Sequence, residues 1–423
     1  MLDIRILREN PGYAKARLQT RGRSYGVEID AVLQLDGERR ELIFESEKVK
    51  AEQNRVSKLV PEMKKKGEDV SAVFAEMKAL SDRTKLASAR LAQIEEQLQD
   101  ILIGIPNLPH DSVPEGSDAE QNVEVRRWRQ PTCFGFEPKA HWEIGESLGL
   151  LDFARGVKVA GPRFTFLTGL GARLERALLN FCLDGNGKAG YTELLAPYMV
   201  NSKSAYGTGN LPKFGDQMFK VQDTDFYLIP TAEVPVTNFH AGETLDARDL
   251  PKRYCCLTPC FRSEAGAAGR DTRGYIRMHQ FHKVELVKFS LPEQSENELE
   301  SLTAQAENLL KALELPYRTV ICCTGDMGAN QVKQYDIEVW MPSYGRYVEI
   351  SSCSNYGSYQ ARRAGIRYRP ADGGKNEYLH TLNGSALPSP RLVAAVLENY
   401  QNVDGSVTVP EVLTPYMGVS VIK

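Results

Sequence analysis

Phe261-Arg262-Ser263-Glu264, a loop rich in glycine and arginine from Gly266 to Gly274, and Arg277-Met278-His279-Gln280-Phe281-His282-Lys283-Val284-Glu285 form the stretch on which the reading of this chain turns. The pattern predicts two strands flanking a loop. Alternate side chains of a strand share a face, so Arg262 and Glu264 are expected on one side, as are Phe281, Lys283 and Glu285. One surface then carries an aromatic plate, guanidinium groups and carboxylates, which suits a phosphate-bearing ligand with a small polar partner. Taken alone, the same residues also fit a hairpin with a salt-bridged, solvated face.

On the N-terminal side the pattern changes. Val70, Val73, Met77, Leu80, Thr84, Ala87, Leu91, Ile94, Leu98 and Ile101 alternate by three and four, the spacing of a coiled-coil seam. Before them Leu35, Leu42, Val49, Val56 and Met63 recur every seventh residue, with polar Arg39, Ser46 and Gln53 between. Two helices joined by a turn at Lys66 to Asp69 predict an antiparallel hairpin whose arms extend ~50 Å at 1.5 Å per residue. Such a hairpin buries its apolar stripe within one chain, and its mixed-charge outer faces suit recognition of shape. A dimerisation or spacer element is the plainer reading of the same pattern.

Residues 104–123 are rich in Pro, Gly, Asn and Asp and lack period, as a linker does. The expected organisation is therefore a helical arm over 1–103, a linker over 104–123 and a body over 124–423. In the body short β-like runs alternate with helical ones, which predicts an α+β fold. Helices are expected over Gly169 to Cys182, Pro292 to Leu313 and Pro390 to Tyr400, the last with Ser389 as N-cap.

At 423 residues, with 42% hydrophobic and 25% charged, the chain has the make-up of a soluble globular protein of two or three domains. No apolar run is long enough to span a bilayer and the start lacks a signal peptide's features, so a cytoplasmic location and no membrane partner are expected. Eight cysteines without a secretory signal predict reduced thiols. The adjacent pairs Cys255-Cys256 and Cys322-Cys323 lack the spacing of a tetrahedral metal site, so no zinc is expected. A net charge of -3 excludes capture of nucleic acid by bulk positive charge, but not by a local track.

The complete stretch from Phe261 to Glu285 resembles motif 2 of the class II aminoacyl-tRNA synthetases, in the form found in bacterial-type seryl-tRNA synthetases. Other segments extend the resemblance. Leu174-Glu175-Arg176-Ala177-Leu178, Gly190-Tyr191-Thr192-Glu193 and Ala196-Pro197 resemble motif 1, which lies at the subunit contact and implies a homodimer. Tyr347-Val348-Glu349-Ile350-Ser351-Ser352 resembles the family's EISS segment, and Thr381-Leu382-Asn383-Gly384-Ser385-Ala386-Leu387 through Arg391 resembles motif 3. The implied fold is an antiparallel sheet flanked by helices, preceded by an all-α coiled-coil arm.

The resemblance also implies roles. Arg262 would grip the α-phosphate of ATP, with Ser263 and Glu264 on the nucleotide side. Arg277 would reach phosphate or carboxylate, Phe281 would stack beneath adenine, and Arg391 would meet the γ-phosphate and cover adenine from the other side. Glu349, Ile350, Ser351 and Ser352 would bind ATP, with Glu349 and Ser352 as ligands of its Mg²⁺. Thr231, Ala232 and Glu233 would border the amino-acid pocket and hold the α-ammonium. Glu285 would accept the serine hydroxyl, with Ser385 and Asn383 beside it. His282 is given no role. Arg262, Glu264, Arg277 and Arg391 are the implied catalytic set.

The implied reaction activates L-serine with ATP to seryl-adenylate and transfers serine to tRNA(Ser), with tRNA(Sec) as a further acceptor, and the arm would bind the tRNA. Two rivals remain at this point: a neighbouring class II ligase, and a catalytically silent relative acting as a dimeric RNA-binding protein. Glu349 and Ser352 are oddly spaced and would point to opposite faces of a straight strand. A bulge, or a strand ending after Ile350, is therefore expected.

Overall fold

The computed structural model describes residues 1–265 and 273–423. Positions 266–272 of the expected glycine-rich loop thus lie outside the described residues. The described chain divides into two compact units, Met1–Leu108 and Pro109–Lys423.

In the first unit, short helices Ile4–Glu9 and Pro11–Gln19 precede two long ones, α1 (Gly26–Lys66) and α2 (Ser71–Gly104). Every seam position from Val70 to Ile101 is at least partly sheltered, with Leu80, Ile94 and Leu98 buried. The facing positions of α1 are sheltered too, including polar Arg39, Ser46 and Gln53. Gly67 ends α1 in the left-handed region at φ 71°, a conformation that costs glycine little, and the Asp69 carboxylate accepts the Ser71 N–H at 2.9 Å to start α2. Near the base, Ile29, Val32, Ile94, Leu98 and Leu102 share a core with Leu7, Ala14 and Leu18 of the short helices. The hairpin is therefore anchored by packing at one end and held by its own seam at the other.

The second unit is built on an eight-stranded sheet. Its strands are β1 (Val123–Trp128), β2 (Thr192–Leu194), β3 (Lys252–Phe261), β4 (Gln280–Ser290), β5 (Tyr317–Ile321), β6 (Lys333–Met341), β7 (Arg346–Asn355) and β8 (His380–Pro388). They lie in the order β1-β5-β6-β7-β8-β4-β3-β2, antiparallel throughout except for the β2/β3 pair. Three helices, α3 (Leu170–Lys188), α4 (Ser295–Ala312) and α5 (Ser389–Asn399), bury apolar faces in the largest core of the unit. β4 lies inside the sheet between β8 and β3, so its side chains are positioned by neighbours on both sides, whereas β3 is the last strand but one and meets β2 only at Thr192–Leu194.

Three boundaries differ from expectation. The helix expected to end at Cys182 continues to Lys188, because Gly185 is a packing site and not a stop: a Cβ there would meet the Leu309 side chain at 2.9 Å. Pro292–Gln294 form a single 3₁₀ turn before α4. Ser389 is the first residue of α5 and Pro388 its N-cap, since the Ser389 hydroxyl donates elsewhere, to Glu175.

Candidate active site

β3 ends at Phe261, so Arg262 and Glu264 stand beyond the strand and not on it as expected. Arg262 is nevertheless held: its N–H donates to the His279 carbonyl at 2.9 Å and its Nε to the Pro230 carbonyl at 3.2 Å. Its guanidinium lies 5.3 Å from the Phe281 ring centre, within cation–π range. Glu264 adopts φ 50°, a left-handed conformation uncommon for a residue with a Cβ, and this turns its carboxylate toward Arg277 at 3.1 Å.

These groups wall one part of a cleft of about 270 Å³ whose lining also includes Glu349, Ile350, Ser351, Ser352 and Arg391. The odd spacing of Glu349 and Ser352 is resolved by a bulge. Ser351 pairs with Ile337 and Glu349 with Glu338, so Ile350 is an extra residue in β7. Glu349 and Ser352 therefore both reach the cleft. Arg391, two residues into α5, lies 3.6 Å from the Glu349 carboxylate and donates to the Glu349 carbonyl. Asp336 stands opposite Ser352 on β6, and burial, with the Glu349 charge second, pushes its carboxyl up to about 7. Gln334 donates to it at 2.9 Å. Cys322, Asp326 and Asp336 bring potential ligand atoms within 4.8 Å of one another behind this wall, although the adjacent cysteines have no metal-site spacing.

The cleft's other end is a buried polar pocket. Glu285 is 2% exposed and lies directly opposite Ser385 of β8. The Thr231 hydroxyl donates to Glu285 Oε2 at 3.2 Å, and buried Lys283, two residues earlier on β4, pairs with the same oxygen. Glu233 receives Gln360 Nε2 at 2.6 Å, and Thr381 donates to Gln360 Oε1 at 2.7 Å, which fixes the amide's orientation. Burial raises the Glu233 pKa, with the nearby Glu285 charge adding to the rise and the Gln360 bond opposing it. Tyr356 donates to Asn383 Oδ1 at 3.3 Å, while Asn383 Nδ2 is buried with no hydrogen-bond partner. An unpartnered donor and two carboxylates at the end of a cleft suit a ligand that brings both an acceptor and several donors.

Arg262, Glu264, Arg277, Phe281, Glu349, Ile350, Ser351, Ser352, Arg391, Thr231, Glu233, Glu285, Asn383 and Ser385 all line this one cleft. Ser263 and Ala232 do not: the Ser263 hydroxyl donates to the Asp216 carbonyl at 2.7 Å, and Ala232 is wholly buried. Gln331 and Tyr356 line it without having been anticipated, and Lys283, expected on this face, lines it without having been given a role. Lys283 alternates with Phe281 and Glu285, so the strand period already placed it on the right face. Gln360 and Tyr356 carry no such local signal. His282, given no role from sequence, sits with Nδ1 3.0 Å from Glu175.

Family models for the seryl-tRNA synthetase N-terminal domain and for the tRNA synthetase class II core domain (G, H, P, S and T) match residues 1–109 and 218–400. The serine–tRNA ligase of Carboxydothermus hydrogenoformans is 57% identical over 420 residues, 99% of each chain. Among solved structures, the seryl-tRNA synthetase of Pyrococcus horikoshii complexed with ATP superposes with a TM-score of 0.93 at 40% identity, covering 100% of this chain and 99% of its own. The cytoplasmic serine–tRNA ligase of Naegleria fowleri in complex with AMP gives 0.88 at 30% identity over 100% and 99%.

Proposed function

We propose a reaction course for the cleft from one premise: the chain belongs to the seryl-tRNA synthetase family of class II aminoacyl-tRNA synthetases. It is a serine–tRNA ligase, activating L-serine with ATP and charging tRNA(Ser). In the first step a serine carboxylate oxygen attacks the α-phosphorus, a P–O bond forms, and pyrophosphate leaves. In the second, a hydroxyl of the tRNA's terminal adenosine attacks the acyl carbonyl and AMP leaves. No side chain has to act as a nucleophile. Positioning and charge stabilisation carry the chemistry.

The observation that carries the division of labour is the buried Glu285, held by Thr231 and Lys283 opposite Ser385 at one end of a cleft whose other end holds Arg262, Phe281 and Arg391. At the closed end Glu285 accepts the serine hydroxyl, and Glu233 with Thr231 holds the ammonium. Asn383 and Ser385 complete the pocket wall. At the other end Arg262 neutralises charge developing on the α-phosphate, already fixed by its bonds to Pro230 and His279. Arg277, steered by Glu264, contacts phosphate or carboxylate. Adenine lies between Phe281 and Arg391, with Glu264 contributing to the nucleotide side and Ile350 and Ser351 to its floor, while Ser263, turned to Asp216, serves the site only through its place in the chain.

Glu349 and Ser352 supply hard oxygen donors on one side of the bulged strand, a set that fits Mg²⁺ with its retained waters. When bound with ATP, Mg²⁺ supplies positive charge to the phosphates. Arg391 lies 3.6 Å from the Glu349 carboxylate, so the residues that would hold the metal also border the arginine proposed to meet the nucleotide.

The arm binds tRNA, tRNA(Sec) is a second acceptor, and the chain works in the cytoplasm as a homodimer. The dimer is supported by an apolar groove lined by Val159, Phe164, Phe166, Leu167, Leu179 and Leu257, of which Val159 is 71% exposed. No helix among the described residues is long and apolar enough to cross a membrane.

Amino-acid-dependent exchange of pyrophosphate into ATP tests the assignment. Serine alone is expected to stimulate it strongly. Stronger stimulation by another amino acid would sink the pocket reading, and no exchange with any would favour a silent relative.

A further inference from the structure

Lys283 is a lysine where the reaction does not obviously need one. Its side chain is 7% exposed, it points to the serine end of the cleft, and it pairs with Glu285, itself 3% exposed. A lysine taken out of water loses its hydration, and a partner charge has to offset that loss. The opposite problem exists beside it, because Glu233 and Glu285 place two carboxylates in one small enclosure. Like charges in a dry site disfavour joint ionisation, and one of the two would take up a proton if nothing positive stood near.

We propose that Lys283 is a specificity-determining positioning residue, which holds Glu285 by one carboxylate oxygen and leaves the other oxygen open to the serine hydroxyl. This rests on the assignment of the closed end of the cleft to serine. Thr231 and Lys283 both engage Glu285 Oε2, so the acceptor capacity that remains belongs to Oε1. With Lys283 present the pocket's charged groups sum to a single negative charge, and the α-ammonium of the amino acid brings it to zero. The same hold on Glu285 explains discrimination. A buried carboxylate oxygen left without the hydroxyl is costly, so alanine is rejected, and the cost is greatest when Lys283 and Thr231 fix the carboxylate in place and it cannot turn to find another donor.

The geometry of the strand supports the role. Lys283 and Glu285 are alternate residues of β4, so the pleat sets their side chains on one face, and both have strand neighbours on each side, Thr258 and Pro388 for Lys283, Cys256 and Ser385 for Glu285. Neither backbone has freedom to turn the pair apart.

The test is a double-mutant cycle on the full-length enzyme, read by serine- and alanine-dependent pyrophosphate exchange. Lys283→Met is expected to lower kcat/KM for serine about tenfold or more, mostly through KM, with the KM for ATP held within about twofold. In a Glu285→Gln background the same substitution should cost little, because there is no longer a carboxylate for the lysine to hold. The preference for serine over alanine should shrink in Lys283→Met and largely survive in Lys283→Arg. If Lys283→Met does not accumulate as folded protein, Lys283→Gln takes its place in the cycle, keeping a donor without the charge. Equal losses in both backgrounds, or a rise in the KM for ATP as large as that for serine, would overturn the proposal. A Glu285→Gln single variant with an unchanged KM for serine would instead overturn the serine assignment on which it rests.

Discussion

The hydroxyl of Ser389 donates to the Glu175 carboxylate at 2.5 Å, joining α3 to the first turn of α5, two residues before Arg391. The same carboxylate oxygen lies 3.0 Å from Nδ1 of His282, the residue after Phe281, and its partner oxygen accepts from Tyr275 at 3.3 Å. One buried acid thus touches the neighbours of both groups proposed to enclose adenine. Replacing it strands several polar groups, each worth about 1–3 kcal/mol when left unpaired in the interior. Glu175→Ala is expected to raise the KM for ATP about tenfold while the KM for serine stays near wild type, in steady-state pyrophosphate exchange. Equal rises for both substrates would mean that Glu175 supports the fold at large.

Glu233 gives the serine pocket a pH dependence whose sign can be worked out. Its pKa is raised by burial and by the Glu285 charge, so it gains a proton at a higher pH than an unperturbed glutamate does. Only the ionised form holds an ammonium well. The KM for serine should therefore rise as pH falls through that raised value, before ordinary surface carboxylates titrate. For stability the sign is opposite: a group with a raised folded pKa favours the folded state at low pH, and that contribution is lost as pH rises through the folded pKa. Serine supplies the missing counter-charge, so its stabilisation of the enzyme against heat should grow with pH. Thermal unfolding with and without serine across pH measures this, and the trend should flatten in Glu233→Gln.

Glu349 and Ser352 are expected to set the demand for magnesium. Glu349→Gln and Ser352→Ala should each raise the Mg²⁺ concentration for half-maximal exchange by about tenfold, with the KM for serine little changed. Glu349→Gln also removes the carboxylate 3.6 Å from Arg391, so a change in the KM for ATP at saturating Mg²⁺ would report on Arg391 and not on the metal. An unaltered Mg²⁺ titration in both variants would place the metal elsewhere.

Where these features were legible in the chain depends on whether their cause is local. The seam from Val70 to Ile101 is a period, and a period is written in consecutive residues, so the two long helices could be anticipated from spacing. The odd interval between Glu349 and Ser352 announced an irregularity for the same reason, either a bulge or an early strand end, and the register decides for the bulge. Residues such as Gln360, Tyr356 and Glu175 owe their importance to partners that lie 127, 27 and 214 positions away. Nothing in their own neighbourhoods marks them. Arg262 is intermediate: its place beside Phe281 was legible, but alternation wrongly set it on a strand that ends at Phe261, and its rigidity comes from bonds to Pro230 and His279 beyond that end. Ser389 misled because a serine before Pro390 has the form of a cap, while a distant acid had already taken its hydroxyl.

The role proposed for the arm predicts that the two half-reactions can be separated. The arm's distal part has few buried positions and depends on the seam, whereas its base shares a core with the short helices, so shortening from the tip should spare the base. Arg90 pairs with Glu38 across the hairpin at 2.7 Å, which marks two positions that face each other. Deleting Glu45 to Arg83 and closing the gap with a glycine turn keeps that pair and the register below it. Such a variant should exchange pyrophosphate at close to the wild-type rate with serine, because every residue proposed for activation lies beyond position 230. If the arm reads the shape of the tRNA, serylation should fall by orders of magnitude, chiefly through the KM for tRNA, since the lost contacts bind substrate and do not touch the reacting atoms. Parallel loss of exchange and transfer would show that the arm serves the fold, and full retention of transfer would place tRNA recognition outside it.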